Sequence, residues 1–288
     1  MKAAFFCLTI WLALSMAPAE AADAGTVTIV EGRARVLRDL TWYKLAPGAR
    51  IREGDIIEAM DAAQVQTELA TGGSLNLGGP GALYAAALPL AGDKPAGPLE
   101  FALPAGWLKL AANAAPAGIR VQSGPAMVSV VEAIVVFRAQ TDAIGFFVES
   151  GGAKLVETGP AGKGAAPVEA RAGEYWSQAA DRPLRSEPRA PAAFVAAMPR
   201  QLLDPLPVLA PRYKSAKVQL VAEQEISFAE AEPWLAGPYR KVFLKRLTPR
   251  LRDREFRAAV EARIARYPEW DPILHPEKYQ PKVPVEPK

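Results

Sequence analysis

The chain has 288 residues, 34 Lys and Arg against 31 Asp and Glu, a formal net charge of +3 and 50% hydrophobic residues; it can bury a large core and is not disordered as a whole. Its 27 prolines and 22 glycines argue against a long helical bundle and for short strands joined by turns. A single cysteine, Cys7, and a single histidine, His275, exclude a disulfide scaffold, a cysteine-rich zinc site and, once Cys7 is lost on processing, a Cys/His nucleophile pair.

Lys2 precedes an uncharged apolar run from Ala3 to Ala17, and Ala19-Glu20-Ala21 follows in the form of a signal-peptidase site. The run falls short of the roughly 20 residues needed to span a bilayer. Residues 1–21 are therefore expected to be a cleaved signal peptide. What remains is expected to have no transmembrane span and to be periplasmic or secreted.

From Gly25 to about Arg185 the sequence changes phase every few residues. Val27 and Ile29 alternate with Thr26 and Thr28, and Val65, Thr67 and Leu69 alternate with Gln64, Gln66 and Glu68. Such alternation predicts half-buried strands with one apolar face. Thr71-Gly72-Gly73 supplies a turn, after which Leu75 and Leu77 resume the period. Met127 to Val131 and Ile134 to Phe137 read as separate short apolar runs, and Gly145 to Val156 reads as two strands around Gly151-Gly152. The expected fold is mainly β, short strands stacked in a solenoid- or roll-like body, with a small α-helical region after it.

Gly25-Thr26-Val27 through Glu31-Gly32-Arg33-Ala34-Arg35-Val36 opens a pattern that Leu45-Ala46-Pro47-Gly48 and Arg52-Glu53-Gly54-Asp55-Ile56-Ile57 continue. Gln64 to Leu69, Gly72 to Leu77, Val148-Glu149-Ser150-Gly151 and Ala172-Gly173-Glu174 complete it. Residues 25–180 resemble the FecR domain of bacterial cell-envelope signalling proteins. The resemblance implies a periplasmic, non-catalytic β domain; in its best-known members that domain relays the state of an outer-membrane receptor to a sigma factor. This chain departs twice from that pattern. It is expected to have only a signal peptide where those regulators carry a cytoplasmic segment and a membrane span, which would remove direct contact with a sigma factor. Glu132-Ala133 stands where the family usually shows Gly-Thr.

The expected domain order is thus the signal peptide (1–21), a FecR-like β domain (25–181), a proline-rich linker or strap (182–217), a small basic helical region (218–280) and a mobile tail (281–288). In the strap, Ala192 to Leu203 is expected to hold a short helix broken near Pro199. Val218 to Val221 reads as a strand. Ser227 and Glu230 have capping-box spacing, Gly237-Pro238 ends that helix, and Tyr239 to Leu247 forms another. Asp253 caps a third helix running to about Tyr267, with Phe256, Ala259, Val260, Ile264 and Tyr267 on one face. Trp270, Ile273, Leu274 and Tyr279 are expected to fold back over the helices.

Between Arg240 and Arg266 ten bases face three acids. Arg240, Lys241, Lys245, Arg246, Arg250, Arg252 and Arg254 form the candidate partner-binding basic surface, suited to another envelope protein, an anionic glycan or a membrane surface. Reversing Arg250, Arg252 and Arg254 is expected to weaken such binding. Export disfavours nucleic acid.

Gly162-Lys163-Gly164 lacks the hydroxyl of a phosphate loop. Glu53, Asp55 and Glu58 cluster at a glycine corner as turn formers, and a carboxylate-dependent glycan hydrolase is the least favoured alternative. Trp42, Tyr43, Tyr84, Trp107 and Trp176 offer a sugar-stacking strip, the basis of a glycan-binding alternative, although strand aromatics more often pack between layers. No catalytic, cofactor or metal-binding residue is expected. The sequence reads as a non-catalytic interaction module in envelope signalling or maintenance.

Overall fold

A computed structural model describes residues 23–91, 94–113, 117–141, 143–158, 166–179 and 182–279. The expected signal peptide, the tail and Gly162–Gly164 lie outside the described residues. The protein is mainly β, with 45% strand and 24% helix.

The strands β1 (Gly25–Glu31), β2 (Ala34–Arg38), β3 (Thr41–Lys44), β4 (Arg50–Ile51), β5 (Ile56–Ala59) and β6 (Gln64–Leu69) are short. The first long one is β7 (Ser74–Ala87). A ribbon of β8 (Leu90–Ala91) and β9 (Lys94–Pro95) leads to β10 (Leu99–Ala112). Then come β11 (Ile119–Ser123), β12 (Ala126–Gln140), β13 (Ala143–Glu157), β14 (Val168–Arg171), β15 (Tyr175–Ala179) and β16 (Arg185–Glu187). A last strand, β17 (Val221–Glu225), pairs with β3 and begins three residues later than the sequence suggests.

The four long strands build the architecture by bending. The first half of β7 pairs with β6, and its second half pairs with β5. Likewise β10 pairs with β11 through its first half and with β12 through its second, and β13 pairs with β15 and then β14. Each long strand thus gives one short segment to each of two layers. One layer runs β4-β1-β6-β7-β10-β12-β13-β15-β16, and the other runs β17-β3-β2-β5-β7-β10-β11-β12-β13-β14. The corners lie at Gly79-Pro80-Gly81, Pro104 to Gly106, Val131-Glu132 and Ser150-Gly151.

Two expectations change here. Met127–Val131 and Ile134–Phe137 are halves of one strand, β12. Gly151-Gly152 is not a hairpin turn but the bend of β13, because Gly151 has φ +73 and a side chain there would overlap the Glu132 carbonyl. Gly106, at φ +104, plays the same part in β10: a Cβ would stand 2.5 Å from the Gly81 Cα. Glycine is required where two backbones approach this closely.

Between the layers lies the main core, including Val36, Ile57, Leu83, Phe101, Leu108, Val135, Phe137 and Phe146. Fully burying each large side chain contributes about 1.5–3 kcal/mol. The next residue in several of these strands points outward and is also buried. Leu37, Ile56, Tyr84 and Ala102 face away from the second layer and meet the helical region. Trp107 and Val136 face away from the first layer and meet the strap. Both outer faces are covered by the chain's own C-terminal third.

The strap holds α1 (Ala192–Ala197), then a 3-10 turn at Arg200–Leu202. Phe194 packs 5.0 Å from the Trp107 ring centroid and 4.9 Å from that of Tyr175. From Leu202 the chain crosses the first layer. There β6 is buried on both sides, not one, because the strap covers its polar face.

The helical region has α2 (Phe228–Ala236), α3 (Arg240–Leu247) and α4 (Arg254–Glu261), followed by the single turn α5 (Asp271–Leu274). Ser227 and Glu230 form the expected capping box, and Asp253 accepts from the Phe256 N–H as the N-cap of α4. That helix stops at Glu261, short of Tyr267. Arg263 leaves helical backbone at φ −129, and a 3-10 turn, Ile264–Arg266, swings Tyr267 beneath Phe228 at 5.7 Å between centroids. Trp270 and Leu274 are buried as a clamp, whereas Ile273 and Tyr279 stay exposed.

Candidate interaction surface

The seven basic residues fall into two groups when their side chains are placed. Arg240 donates to both carboxylate oxygens of Glu269, at 3.1 and 2.8 Å, and to the carbonyls of Leu235 and Arg266. Its guanidinium also lies over Tyr267. Arg246 reaches from α3 to the β body and donates to the Asp39 carbonyl at 2.7 Å and to the Gly54 carbonyl. Arg250 pairs with Glu225 and donates to the Ile226 carbonyl at 3.1 Å. These three arginines hold the helical region together and onto the sandwich. Charge reversal at Arg250 would therefore report folding rather than contact with a partner.

Lys241, Lys245, Arg252 and Arg254 are exposed, and none has a carboxylate within ion-pair distance among the described residues. Lys241 and Lys245 stand one turn apart on α3, on the same side, with exposed Val242 between them in sequence. Arg252 and Arg254 flank the cap of α4. The other bases of the stretch have partners: Arg257 pairs with Glu261, and Arg263 and Arg266 approach Glu232. The cationic surface is thus narrower than the sequence count suggests, and it is left unneutralised.

The join between sandwich and helices depends on charge as well as packing. On the outer face of the second layer Tyr84 meets Trp234, Tyr239 and Phe243 at 6.0, 5.2 and 5.0 Å. Beside them Arg35 pairs with Glu58 on β5 and with Glu230 on α2, and its guanidinium lies 3.9 Å over Trp42. Burial pushes the Glu230 carboxyl up, but hydrogen bonds from the Ser227 N–H and hydroxyl and from Arg35 outweigh burial and hold it below 4.5. At Glu269 the hydrogen bond from Arg240 acts in the same direction. A carboxylate depressed in the folded state stabilises above its unfolded pKa, and that stabilisation is lost as pH falls through the folded value. The helical region is therefore expected to loosen below about pH 4.5 before the sandwich does. Fluorescence of Trp234 and Trp270 should change there, while the β signal in far-ultraviolet circular dichroism persists. Coincident transitions would contradict this.

A cleft of about 780 Å³ separates the Arg52–Asp55 turn from α3, lined by Arg38, Arg52, Glu53, Tyr84, Tyr239 and Arg246. Two of its three carboxylates are committed: Asp55 accepts two bonds from Arg38 and one from the Arg52 N–H, and Glu53 accepts from the Leu88 N–H, whereas Asp39 is exposed at the rim. Burial, with Glu100 and Tyr84 adding to it, pushes the Tyr239 hydroxyl up to about 12. It stays a neutral hydroxyl across the physiological range.

Of the aromatic strip, Trp42, Tyr84, Trp107 and Trp176 are buried and Tyr43 is partly so. Trp176 and Tyr43 pack in the main core, Trp42 and Tyr84 under the helical region and Trp107 under the strap, as the favoured packing reading has it, and the alternative sugar-stacking strip does not form. Among the described residues no group of three or more His, Cys, Asp or Glu is placed to hold a metal ion, and no helix is long and apolar enough to cross a membrane.

Sequence reading missed Gln66, Glu68, Asn76 and Lys109. They stand opposite the core in their strands and are buried beneath the strap. Only their alternation with apolar neighbours marks them, and that pattern also describes a wet face.

Comparison with known proteins finds no matching family model and no matching curated protein. Two crystal structures of a candidate anti-sigma factor from Parabacteroides distasonis are 12% identical to this chain. They give TM-scores of 0.38 and 0.39 and cover 46% of this chain. The aligned part is 59% of that protein, under two thirds of its length.

Proposed function

We propose that this protein is a non-catalytic interaction module of the cell envelope, exported to the periplasm, that holds a partner protein through the cationic surface of Lys241, Lys245, Arg252 and Arg254. The observation that carries this reading is the division among the bases. Those that serve the fold find internal acceptors, and these four find none among the described residues. The signal peptide read from the sequence of residues 1–21 and the resemblance of residues 25–180 to the FecR domain support the location and a part in envelope signalling. Unpaired surface cations raise the rate of encounter with an acidic partner and make its capture salt-dependent. An anionic glycan or lipid surface would use the same charges but would show no fixed stoichiometry.

The test is capture from periplasmic extract with the native protein and with K241E/K245E/R252E/R254E. The native chain should retain one stoichiometric protein. The variant should keep its thermal midpoint and lose about tenfold in affinity. Equal capture by both at low salt would overturn the assignment of this surface. Co-sedimentation with cell wall or anionic vesicles in place of a protein would overturn the choice of partner.

A further inference from the structure

Phe194 and Leu202 anchor the start of the strap by packing, but beyond them it is held mainly by its backbone. Lys109 Nζ donates to the carbonyls of Leu202 at 2.8 Å and Asp204 at 3.2 Å. Gln66 Nε2 donates to the Pro207 carbonyl at 2.7 Å, and Glu68 accepts from the N–H groups of Leu209 and Ala210. Arg50 donates to the carbonyls of Tyr213 and Lys214. The segment from 202 to 214 therefore crosses β10, β6 and β4 in turn. Past the buried Leu202 it leaves apolar side chains in solvent: Leu203 is 54% and Val208 73% exposed.

Beneath it the fit is incomplete. Asn76 is fully buried on β7, paired in register between Gln66 and Lys109. That position lies under the span between Asp204 and Pro207. Both amide atoms of Asn76, and Oε1 of Gln66, are buried without a partner among the described residues. Two of the strap residues above them, Pro205 and Pro207, have no N–H to give. Buried polar groups are normally satisfied; two of these three atoms, Oδ1 of Asn76 and Oε1 of Gln66, are acceptors, so a floor holding them under a proline-containing extended segment is suited to a better donor.

We propose that this face of the first layer is a groove for an extended peptide, that the chain's own 202–214 segment fills it as a weak resident, and that a partner peptide with N–H groups at the Pro205 and Pro207 registers displaces it. The resident defines the occupant's chemistry. It is extended and read through backbone carbonyls and N–H groups, with little demand on its side chains. Proline at two registers keeps the resident's hold submaximal, which makes exchange possible against the high effective concentration of a tethered segment. This groove lies on the opposite layer from the cationic surface and does not depend on it.

The test uses two synthetic peptides, one spanning residues 200–215 and one with Pro205→Ala and Pro207→Ala. The receptor is the full chain with residues 203–209 replaced by a Gly/Ser linker of equal length. That receptor should bind both peptides, the alanine form at least about fivefold tighter, because each restored hydrogen bond is worth roughly that factor. A fluorophore on Val208→Cys in a Cys7→Ser background reads the unaltered groove, and the alanine peptide should displace the strap saturably. Absence of binding to a folded linker variant, together with absence of displacement, would overturn the proposal. So would equal affinity for the two peptides. Strap-dependent dimers seen by light scattering without any peptide would also overturn it, in favour of exchange between copies.

Discussion

Arg246→Ala is expected to destabilise the protein by about 3 kcal/mol and to free the helical region before the sandwich unfolds. The guanidinium reaches from α3 into the turns of the second layer, where it meets the carbonyls of Asp39 and Gly54 and, more distantly, that of Leu37 at 3.5 Å. Hydrogen bonds to a charged donor contribute about 1.5–3 kcal/mol, and removing the donor leaves partly buried acceptors unpaired. The turns themselves are unusual in backbone: Asp39 has φ 54 and Gly54 φ 89. An external donor bridging both holds them in register with α3. Urea denaturation followed by tryptophan fluorescence and by far-ultraviolet circular dichroism checks this. The variant should show two separated transitions with the fluorescence change first. Arg246→Lys should fall between the variant and the native chain, because a lysine keeps the charge but not the planar fork. A single transition at the native midpoint would show that the clip is dispensable.

Arg246 also marks how far the sequence can be read. Nothing in the spacing of Lys241, Lys245 and Arg246 separates an exposed cation from a buried clip, because the difference lies in carbonyls some two hundred residues away. The same holds for Arg240 and Arg250, whose partners Glu269 and Glu225 stand outside the basic stretch. Local patterns did better. The capping box at Ser227 and Glu230, the Asp253 cap and the break at Pro199 depend on a few neighbouring residues, and the structure has all three. Period-two alternation locates the strands and gives the mainly β class. It does not reveal that β12 and β13 continue through their corners, because a glycine bend and a hairpin glycine carry the same residue signal. Gln66 and Lys109 are harder still. Their polarity suits a solvated face, and only a long-range covering segment makes them buried. Local chemistry is legible in one sequence, whereas who covers whom is a property of the fold.

Lys109→Met is expected to cost about 3 kcal/mol and to release the strap, and it separates two roles of one ammonium group. Lys109 is 3% exposed and lies 3.0 Å from Glu149 on β13 as well as beneath the carbonyls of Leu202 and Asp204. Removing one partner of a buried ion pair typically costs 3–5 kcal/mol, chiefly because the other charge is left unpaired. Here Glu149 keeps 27% exposure, so solvent screens part of that penalty and the lower end applies. Lys109→Met with Glu149→Leu removes the stranded carboxylate, and it should recover most of the lost stability. It should not recover the strap, whose carbonyls at Leu202 and Asp204 still lack their donor. Limited proteolysis should therefore cut within residues 203–209 faster in both variants than in the native chain, while the thermal midpoint falls mainly in the single one. Native cleavage rates in the double variant would show that Phe194 and Leu202, packed on Trp107 and Tyr175, hold the strap without help. A single variant as stable as the native chain would show that the Lys109–Glu149 pair contributes nothing beyond the cost of burying it.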